Sequence, residues 1–412
     1  MVGGTRGKEI LMKRLIAMTL AVALVAAVVM LAGCPSTGSA AAPSITTVGL
    51  AGADGYARVW NSPAKLVKIE NSIPTAVTWT TTGGTEVNVP VGHAKMLGSD
   101  HMMLEYTYDD QTFDQSAQVA TGALSDIASP GNWDRINYHA GKAFYVSNGR
   151  LLAVDPSNGS AQEMTQATDN VPSSAHVVIA PSGTPFLFDQ SFMHAYPTPE
   201  TPTDLSGRVS ATRFLEALNA GDSTGTGTHN AIYDPAENVF YVINWTGSEY
   251  WQTTMNADGS TNETGQTAFA NPMASGARRV GSGLPQPDNS VFTDGYNYAV
   301  YTVSIVSGTL SLNAIPVDYN AGQWVDKSFY IDGHYYYQTN EAVPRTTMEI
   351  RDVDISTGDE VQRVASTTTG LQRWTVTGGV LIWIDDTGSW SMDLATGDVS
   401  AYQAHDVQAV TQ

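Results

Sequence analysis

The chain has 412 residues, of which 40 are acidic and 20 are basic, so its formal net charge at pH 7 is −20. A negative field of this size repels a phosphate backbone, which argues against DNA and RNA as partners. Hydrophobic residues make up 42% of the chain and charged residues 15%. That composition excludes a disordered protein and allows a large apolar core.

Near the N-terminus, Lys13 and Arg14 precede an apolar run over 15–32 that only Thr19 interrupts. A basic flank, an apolar segment and small residues after it predict an export signal peptide. As a helix, this run would be about 27 Å long, so its length alone also permits an uncleaved membrane anchor. Both readings place the rest of the chain outside the cytoplasm.

The only cysteine, Cys34, follows this run directly, in the stretch LAGC (31–34). The stretch resembles the lipobox of bacterial lipoprotein precursors. That resemblance implies that the Cys34 sulfur receives a diacylglyceryl group and that the chain is cut before it. We therefore expect a signal peptide over 1–33, a flexible tether over 34–44, and a lipid anchor in a bacterial cell membrane or outer membrane.

Cleavage before Cys34 would remove four basic residues and one acidic residue, which leaves 16 basic and 39 acidic residues and a net charge of −23. Since no second cysteine exists, no disulfide can form within the chain. The folded part, over 45–412, must then be stabilised by its own core.

From residue 45 onward, the sequence repeats a unit of apolar strand, Gly-containing turn and aromatic strand, as in NYHAGKAFYV, SFYIDGHYYYQ and VTGGVLIWI. A fourth example is VFTDGYNYAVY. One turn residue from each unit gives a series spaced by 38 to 58 residues: Gly55, Gly98, Gly141, Gly183, Glu237, Gly295, Gly333 and Gly379.

Four strands in each 40 to 50 residues is the pattern of a β-propeller blade. We therefore predict an all-β protein with one propeller of eight four-stranded blades over 45–412, or seven as the alternative. A pair of β-sandwiches is the competing all-β fold. In the aromatic strand at 335–337, alternation puts Tyr335 and Tyr337 on one face and Tyr336 on the other, which predicts packing between blades.

A second signature, a strand followed by an Asp-initiated turn that Gly closes, occurs in LLAVDPSNGS, IRDVDISTGDEV and WSMDLATGDV. Asp can bond its own turn, and Gly tolerates the positive φ at its end. These turns resemble the quinoprotein-type (PQQ-like) repeats of propeller proteins. The resemblance implies the fold alone, because repeats of that family commonly carry a Trp just after the turn, where this chain has Gln162, Val361 and Val399.

Polar residues recur about seven positions before the turn residues. In a propeller, that position would open the innermost strand of a blade, at one mouth of the central channel. Convergent polar groups there suit a small polar ligand or a hard cation such as Ca²⁺, although they could also be ordinary loop ends in water. The candidate ligand site comprises Asp134, Arg135, His176, His229, Asn230, Asp288, Asp326 and Arg373.

Catalytic motifs are scarce: the sequence has no HExxH, CxxC, P-loop or G-x-S-x-G. The stretch DTGSW (386–390) faintly resembles a sialidase Asp-box but is one residue short, and we interpret it as a hairpin turn with a packing Trp. These absences favour a non-enzymatic binding or scaffold propeller at the cell envelope. The alternative is a glycan-binding or glycan-processing propeller, and a quinoprotein-type dehydrogenase is a weaker third.

The expected partners follow from these readings. They are the membrane, through the lipid on Cys34, and either an envelope protein or a small polar or glycan ligand. We expect a monomer without a resident cofactor, with Ca²⁺ as the one ion that the polar channel mouth could hold.

Overall fold

The computed structural model describes residues 45–412 except 61–62, 166–169, 174, 180–182, 189–192, 199–200, 205–228, 235, 238, 245–247, 256–260, 264, 266, 271–276, 281–285, 295–298, 316, 318–322, 342–347, 365–370, 372, 403, 405 and 411–412. Residues Ile45–Gln412 form one compact unit. The expected signal peptide, Cys34 and the tether lie outside the described residues. Among the described residues, no helix is long and apolar enough to cross a membrane.

The described residues form strands throughout. In chain order these are β1 Ile45–Val48, β2 Gly55–Trp60, β3 Ala64–Glu70, β4 Ile73–Ala76, β5 Thr78–Thr81, β6 Glu86–Val87, β7 Val91–Leu97, β8 His101–Tyr108, β9 Gln111–Gln118, β10 Leu124–Asp126, β11 Asn137–His139, β12 Lys142–Ser147, β13 Arg150–Val154, β14 Ala161–Glu163, β15 His176–Ile179, β16 Pro185–Phe188, β17 Met193–Thr198, β18 Thr201–Asp204, β19 His229–Asp234, β20 Val239–Asn244, β21 Glu249–Met255, β22 Thr261–Glu263, β23 Thr267–Ala268, β24 Ala277–Val280, β25 Val291–Asp294, β26 Ala299–Val306, β27 Thr309–Ile315, β28 Gln323–Ile331, β29 His334–Glu341, β30 Met348–Asp354, β31 Glu360–Val364, β32 Arg373–Thr377, β33 Val380–Asp385, β34 Gly388–Asp393, β35 Val399–Ala401 and β36 Asp406–Ala409. Two 3₁₀ turns, Trp133–Arg135 and Pro287–Asn289, accompany them.

These strands build eight antiparallel blades, which confirms the predicted propeller and its blade number. Blade 1 has the order β36-β2-β3-β4, and blades 2 to 8 are β7–β10, β11–β14, β15–β18, β19–β22 with β23 added, β24–β27, β28–β31 and β32–β35. The first strand in each of these orders is innermost, and innermost strands of neighbouring blades contact each other, as β11 does β15 and β32 does β36.

Blade 1 closes the ring with strands from both ends of the described chain. Strand β36 pairs antiparallel with β2, with Ala57 opposite Ala409 and Trp60 opposite Asp406. Strand β1, which the repeat spacing would place innermost, instead pairs with β5 in a small separate sheet. The C-terminal segment is therefore the one that reaches the channel in this blade.

The core lies between the blades, because each blade is covered on both faces. Second strands are consequently continuous apolar runs rather than alternating ones: five of the six residues of β33 (VLIWID) are buried. Between blades 6 and 7, Tyr335 and Tyr337 stack with ring centroids 5.4 Å apart. Tyr336 packs on the other face, near Trp374 of blade 8, so the predicted division of these three rings is confirmed.

The three Asp–Gly turns join the third and fourth strands of blades 3, 7 and 8. In the first, the Asp155 carboxylate accepts the backbone N–H of Ser157 at 2.9 Å, and the N–H of Gly159, at φ 70°, donates to the Asp155 carbonyl. Asp354 and Asp393 begin turns of the same geometry. The predicted turn chemistry is therefore present.

Positions that hold a docking Trp in quinoprotein repeats do not dock blades in this protein. Val361 and Val399 are 46% and 50% exposed. Blade contacts come instead from aromatic rings on the inner strands, such as Trp374, whose indole N–H donates to the Gln338 side chain at 2.7 Å.

The Asp-box-like stretch is a hairpin turn between β33 and β34. Asp385 accepts hydrogen bonds from the N–H of Thr387 at 2.8 Å and from that of Gly388 at 3.0 Å. The indole N–H groups of Trp383 and Trp390 also donate to its carboxylate, each at 3.3 Å. This network confirms the interpretation as a turn with a packing Trp.

Candidate functional site

A small polar pocket opens on the channel side of blades 1, 2 and 3. Its volume is about 60 Å³, which suits a carboxylate-sized or phosphate-sized group. It is built from β36, β2, β7 and the 3₁₀ turn before β11, and its polar lining is Arg58, His93, Lys95, Trp133, Asp134 and Gln408.

Arg58 is the most buried charged group of this pocket, at 8% exposure. It lies opposite Gln408 in the β2–β36 pairing and donates to the Gln408 side-chain carbonyl at 2.7 Å. Its guanidinium carbon lies 4.0 Å from the centroid of the Trp60 ring. Its Nε is buried and makes no hydrogen bond among the described residues. Burial lowers the pKa of Arg58, and the Glu105 and Asp134 carboxylates oppose that shift.

Lys95 brings a second cation into the pocket from β7. Burial lowers its pKa, and the Asp134 carboxylate partly opposes this effect. Within the described part of the chain, its ammonium makes no hydrogen bond or ion pair. A partly desolvated lysine of this kind has a larger neutral fraction near pH 7 than an exposed one, and a neutral amine can accept a proton.

His93 lies two residues from Lys95 on the same strand and stacks on Trp133, with ring centroids 5.4 Å apart and planes within 8°. Behind His93, Glu105 and Asp114 face each other across β8 and β9. Burial and the Glu105 charge raise the pKa of Asp114, while a hydrogen bond from Ser129 lowers it. These titratable groups form one coupled cluster beside the pocket.

Gly92, which precedes His93, leaves room for the Glu105 side chain in this arrangement. A Cβ at position 92 would collide with the Glu105 carboxylate. The pairing of β7 with β8 shifts register between Val91 and His93, so the chain bulges at Gly92. The bulge lets the Glu105 carboxylate approach the innermost strand.

The structure brings some of the predicted site residues together. Asp134 lines the pocket, where its backbone N–H is held by the Asn132 side chain at 2.9 Å. Arg135 contacts Nδ1 of His176 on blade 4, and Arg373 on blade 8 contacts the Asp406 carboxylate on blade 1. These contacts join neighbouring blades around the channel.

For three predicted residues only the strand is described. His229 and Asn230 lie at the start of β19, as predicted, and Asp326 lies within β28 at a register shift between Val325 and Lys327. Their side chains lie outside what the structure describes.

The prediction for Asp288 is wrong. It lies in the 3₁₀ turn between β24 and β25, hence beyond the end of the innermost strand and at the opposite end of the channel from Asp134. The unit VFTDGYNYAVY spans β25 and β26, which are the second and third strands of blade 6. The hydroxyl of Tyr330, near the far end of β28, donates to the Asp288 carbonyl at 3.1 Å, which supports this placement.

Sequence reasoning missed Arg58, His93, Lys95, Asp406 and Gln408. Arg58 and Gln408 are 350 positions apart and meet only because β36 closes the ring. One available signal was the scarcity of basic residues, since a lysine or arginine inside a predicted apolar strand is unusual in so acidic a chain. No group of three His, Cys, Asp or Glu side chains among the described residues is arranged to hold a metal ion.

No known protein family matches the sequence, and neither does any curated protein. Solved structures do match in fold. A puromycin-hydrolyzing peptidase of Mycobacterium tuberculosis is 12% identical with a TM-score of 0.39, over 77% of this chain and 53% of the peptidase. This chain thus spans about half the length of that peptidase.

An oligogalacturonate lyase in complex with manganese is 11% identical with a TM-score of 0.38, over 74% of each chain. A putative 6-phosphogluconolactonase of Bacteroides uniformis is 12% identical with a TM-score of 0.39, over 87% of this chain and 100% of the other. At such values the likeness concerns the fold and transfers no activity.

These comparisons correct the expectation of a non-enzymatic scaffold. The named matches are described as enzymes or as a putative enzyme.

Proposed function

We propose that the pocket of blades 1 to 3 binds the anionic group of a small substrate and that acid–base chemistry takes place on that substrate. The observation that carries this proposal is Arg58. Arg58 is 8% exposed, its one hydrogen-bonded partner among the described residues is the neutral Gln408, and its Nε has none. Glu105 and Asp134 interact with it electrostatically, but neither is hydrogen-bonded to it among the described residues. An anionic ligand would supply a directly bonded partner.

The distribution of charge along the channel supports an anionic ligand. Five of the 16 basic residues after residue 44 lie on the eight innermost strands, against three of the 39 acidic residues. The basic ones are Lys95, Arg278, Arg279, Lys327 and Arg373. An excess of basic over acidic residues on the strands around the channel favours anions there even when the whole protein is negative.

Lys95 is the group placed to move a proton. It faces the same pocket as Arg58, and its lowered pKa favours the neutral amine that can act as a base. Asp134, at the pocket rim, stabilises the protonated form that proton transfer would create. Arg58 would hold the anionic group while Lys95 accepts a proton from a neighbouring atom of the substrate.

The test is calorimetric titration of the protein with sodium acetate and inorganic phosphate at low ionic strength. We expect weak binding that falls at least tenfold in Arg58→Gln, with Lys142→Met, an exposed lysine on β12, as the matched control. A panel of small carboxylic and phosphorylated acids is then screened for turnover, which Lys95→Met should abolish. Unchanged binding in Arg58→Gln would overturn the binding site, and binding without any turnover would overturn the chemistry.

We also propose that the protein is exported and anchored by a lipid on Cys34. The support is the sequence: a basic pair, an apolar run and the LAGC stretch in that order. Two acyl chains hold a protein on a membrane far longer than one chain does, since each buried CH₂ contributes about 0.8 kcal/mol. Metabolic labelling with a fatty-acid probe should mark the wild type and not Cys34→Ser; label on the Cys34→Ser protein would refute the anchor.

We also propose that the repeats are related to quinoprotein-type repeats, on the basis of their turns alone. The turns at Asp155, Asp354 and Asp393 support it, and the exposed Val361 and Val399 in place of a docking Trp weigh against a close relationship. His176, His229, Asn230 and Asp326 are proposed as further groups at the channel mouth. Alanine at His176 should weaken phosphate binding less than Arg58→Gln does.

A further inference from the structure

A second cationic centre lies between blades 7, 8 and 1, the last of which also contributes to the pocket. The Lys327 ammonium donates to the Trp374 carbonyl at 2.6 Å and lies 5.0 Å from the Phe329 ring centroid and 5.8 Å from that of Trp374. In the described part of the chain, it has no carboxylate partner. Burial, together with the nearby Arg373 charge, lowers the pKa of Lys327 to about 8.

Arg373 completes this centre and keeps donors free for a ligand. Its side chain is 55% exposed, and one of its terminal nitrogens contacts the Asp406 carboxylate. A guanidinium carries five N–H donors, so a single contact with a carboxylate leaves most of them available. The centre therefore joins a desolvated ammonium to an accessible guanidinium.

One strand relates the two centres. Asp406, which contacts Arg373, and Gln408, which contacts Arg58, are alternate residues of β36 and so point to the same face. At about 3.3 Å per residue, their positions are about 7 Å apart along the strand. The pocket and the second centre thus lie at the two ends of a short stretch of one innermost strand.

We propose that the natural ligand is an elongated organic dianion, with one anionic group in the Arg58–Lys95 pocket and the other at Lys327 and Arg373. This inference rests on the proposed function, because it takes the pocket as the first anion site. It adds the substrate class: two anionic groups joined by one flexible chain, as in a linear dicarboxylate. Two linked contacts give higher affinity than either alone, because the second contact is intramolecular.

The experiment is calorimetric titration of the full chain with linear dicarboxylates of increasing length, from malonate through succinate and adipate to suberate, with acetate as the single-group reference. We expect affinity to rise at least tenfold over acetate once the chain can reach both centres. Arg373→Gln and Lys327→Met should remove that rise while the part of acetate binding that depends on Arg58 persists, and Lys142→Met should alter neither.

The possible failures are distinguishable. If long dicarboxylates bind no better than acetate while acetate binding still depends on Arg58, the second centre is wrong and the pocket stands. If acetate and phosphate binding do not depend on Arg58, the proposed function fails and this inference with it. Arg373 is exposed, so Arg373→Gln keeps the test valid even where Lys327→Met fails to fold.

Discussion

Blade 7 and the channel pocket both bury charged groups, but only in blade 7 do these groups have a full set of hydrogen-bond partners. In blade 7, Asp352 is 2% exposed, and its carboxylate accepts from Arg363 at 2.7 and 3.0 Å and from His334 at 2.8 Å. In the pocket Arg58 Nε, and beside it Asp114 Oδ1, are buried with no hydrogen bond among the described residues.

Under the proposed function, the difference separates charges that stabilise the fold from charges that a ligand would partner. A buried carboxylate with three donors has recovered what it lost on leaving water, whereas a buried polar atom without a partner costs about 1–3 kcal/mol. Arg363 also donates to the Leu394 carbonyl of blade 8 at 3.1 Å, so the blade 7 cluster fastens two blades together.

The strongest test of this comparison replaces one arginine by methionine in each of the two regions. Arg363→Met would leave the Asp352 carboxylate buried with only His334, and we expect the free energy of unfolding to fall by about 3 kcal/mol. Arg58→Met removes a guanidinium that no carboxylate among the described residues bonds directly, so we expect a change within about 1 kcal/mol. Urea denaturation of both variants measures this, and equal losses would show that the pocket arginine is as structural as that of blade 7.

The turns and the blade faces were predictable from sequence because each depends on residues close together in the chain. The five residues DPSNG contain both the Asp and the Gly that define the Asp155 turn. The alternation of Tyr335, Tyr336 and Tyr337 between two faces is a property of any strand. The spacing of these local signals predicted the number of blades.

The pocket was not predictable, since it depends on which segment closes the ring. Gln408 meets Arg58 only through the pairing of β36 with β2, a contact that no local pattern encodes. The error at Asp288 has a related cause: blade 6 connects its first two strands through 281–290 rather than a tight turn, so alignment on Gly295 selected the wrong hairpin.

A second, smaller test compares two aspartates. Asp352→Asn keeps the shape of the side chain but weakens the two charge-assisted hydrogen bonds from Arg363. We therefore expect the free energy of unfolding to fall by about 2 kcal/mol at pH 7. Asp114→Asn should instead stabilise slightly at pH 7, because burial raises the pKa of Asp114 and makes its ionised form unfavourable in the folded state.

The pH dependence of Asp114 has a definite sign. Because its folded-state pKa lies above the ordinary 3.8, the contribution of Asp114 to wild-type stability should fall as the pH rises from about 3.8 through that raised value. Asp114→Asn should lack this decline, and the two proteins should converge below pH 3.8. Thermal melts across pH 3 to 7 check this; an Asn variant that is less stable than the wild type at pH 7 would contradict it.

The smallest expected effect concerns Lys95. Since burial places its folded-state pKa below 10.5, the unfolded chain binds this proton more tightly than the folded protein does. The destabilisation caused by burying the charged Lys95 ammonium is therefore complete below the folded-state pKa and disappears as the pH rises past 10.5. Lys95→Met removes the charge, so its stability relative to wild type should be highest near pH 7 and should decline toward pH 10.5.

Taking the difference between variant and wild type cancels the ionisation of the buried tyrosines, which affects both proteins alike at high pH. Lys142→Met, at an exposed position, should show no such trend, and Lys327→Met should show it over the interval from about pH 8 to 10.5. A Lys95→Met difference that stays constant from pH 7 to 10.5 would mean that the ammonium is solvated. Lys95 would then be unable to act as the base of the pocket, although Arg58 could still bind an anion there.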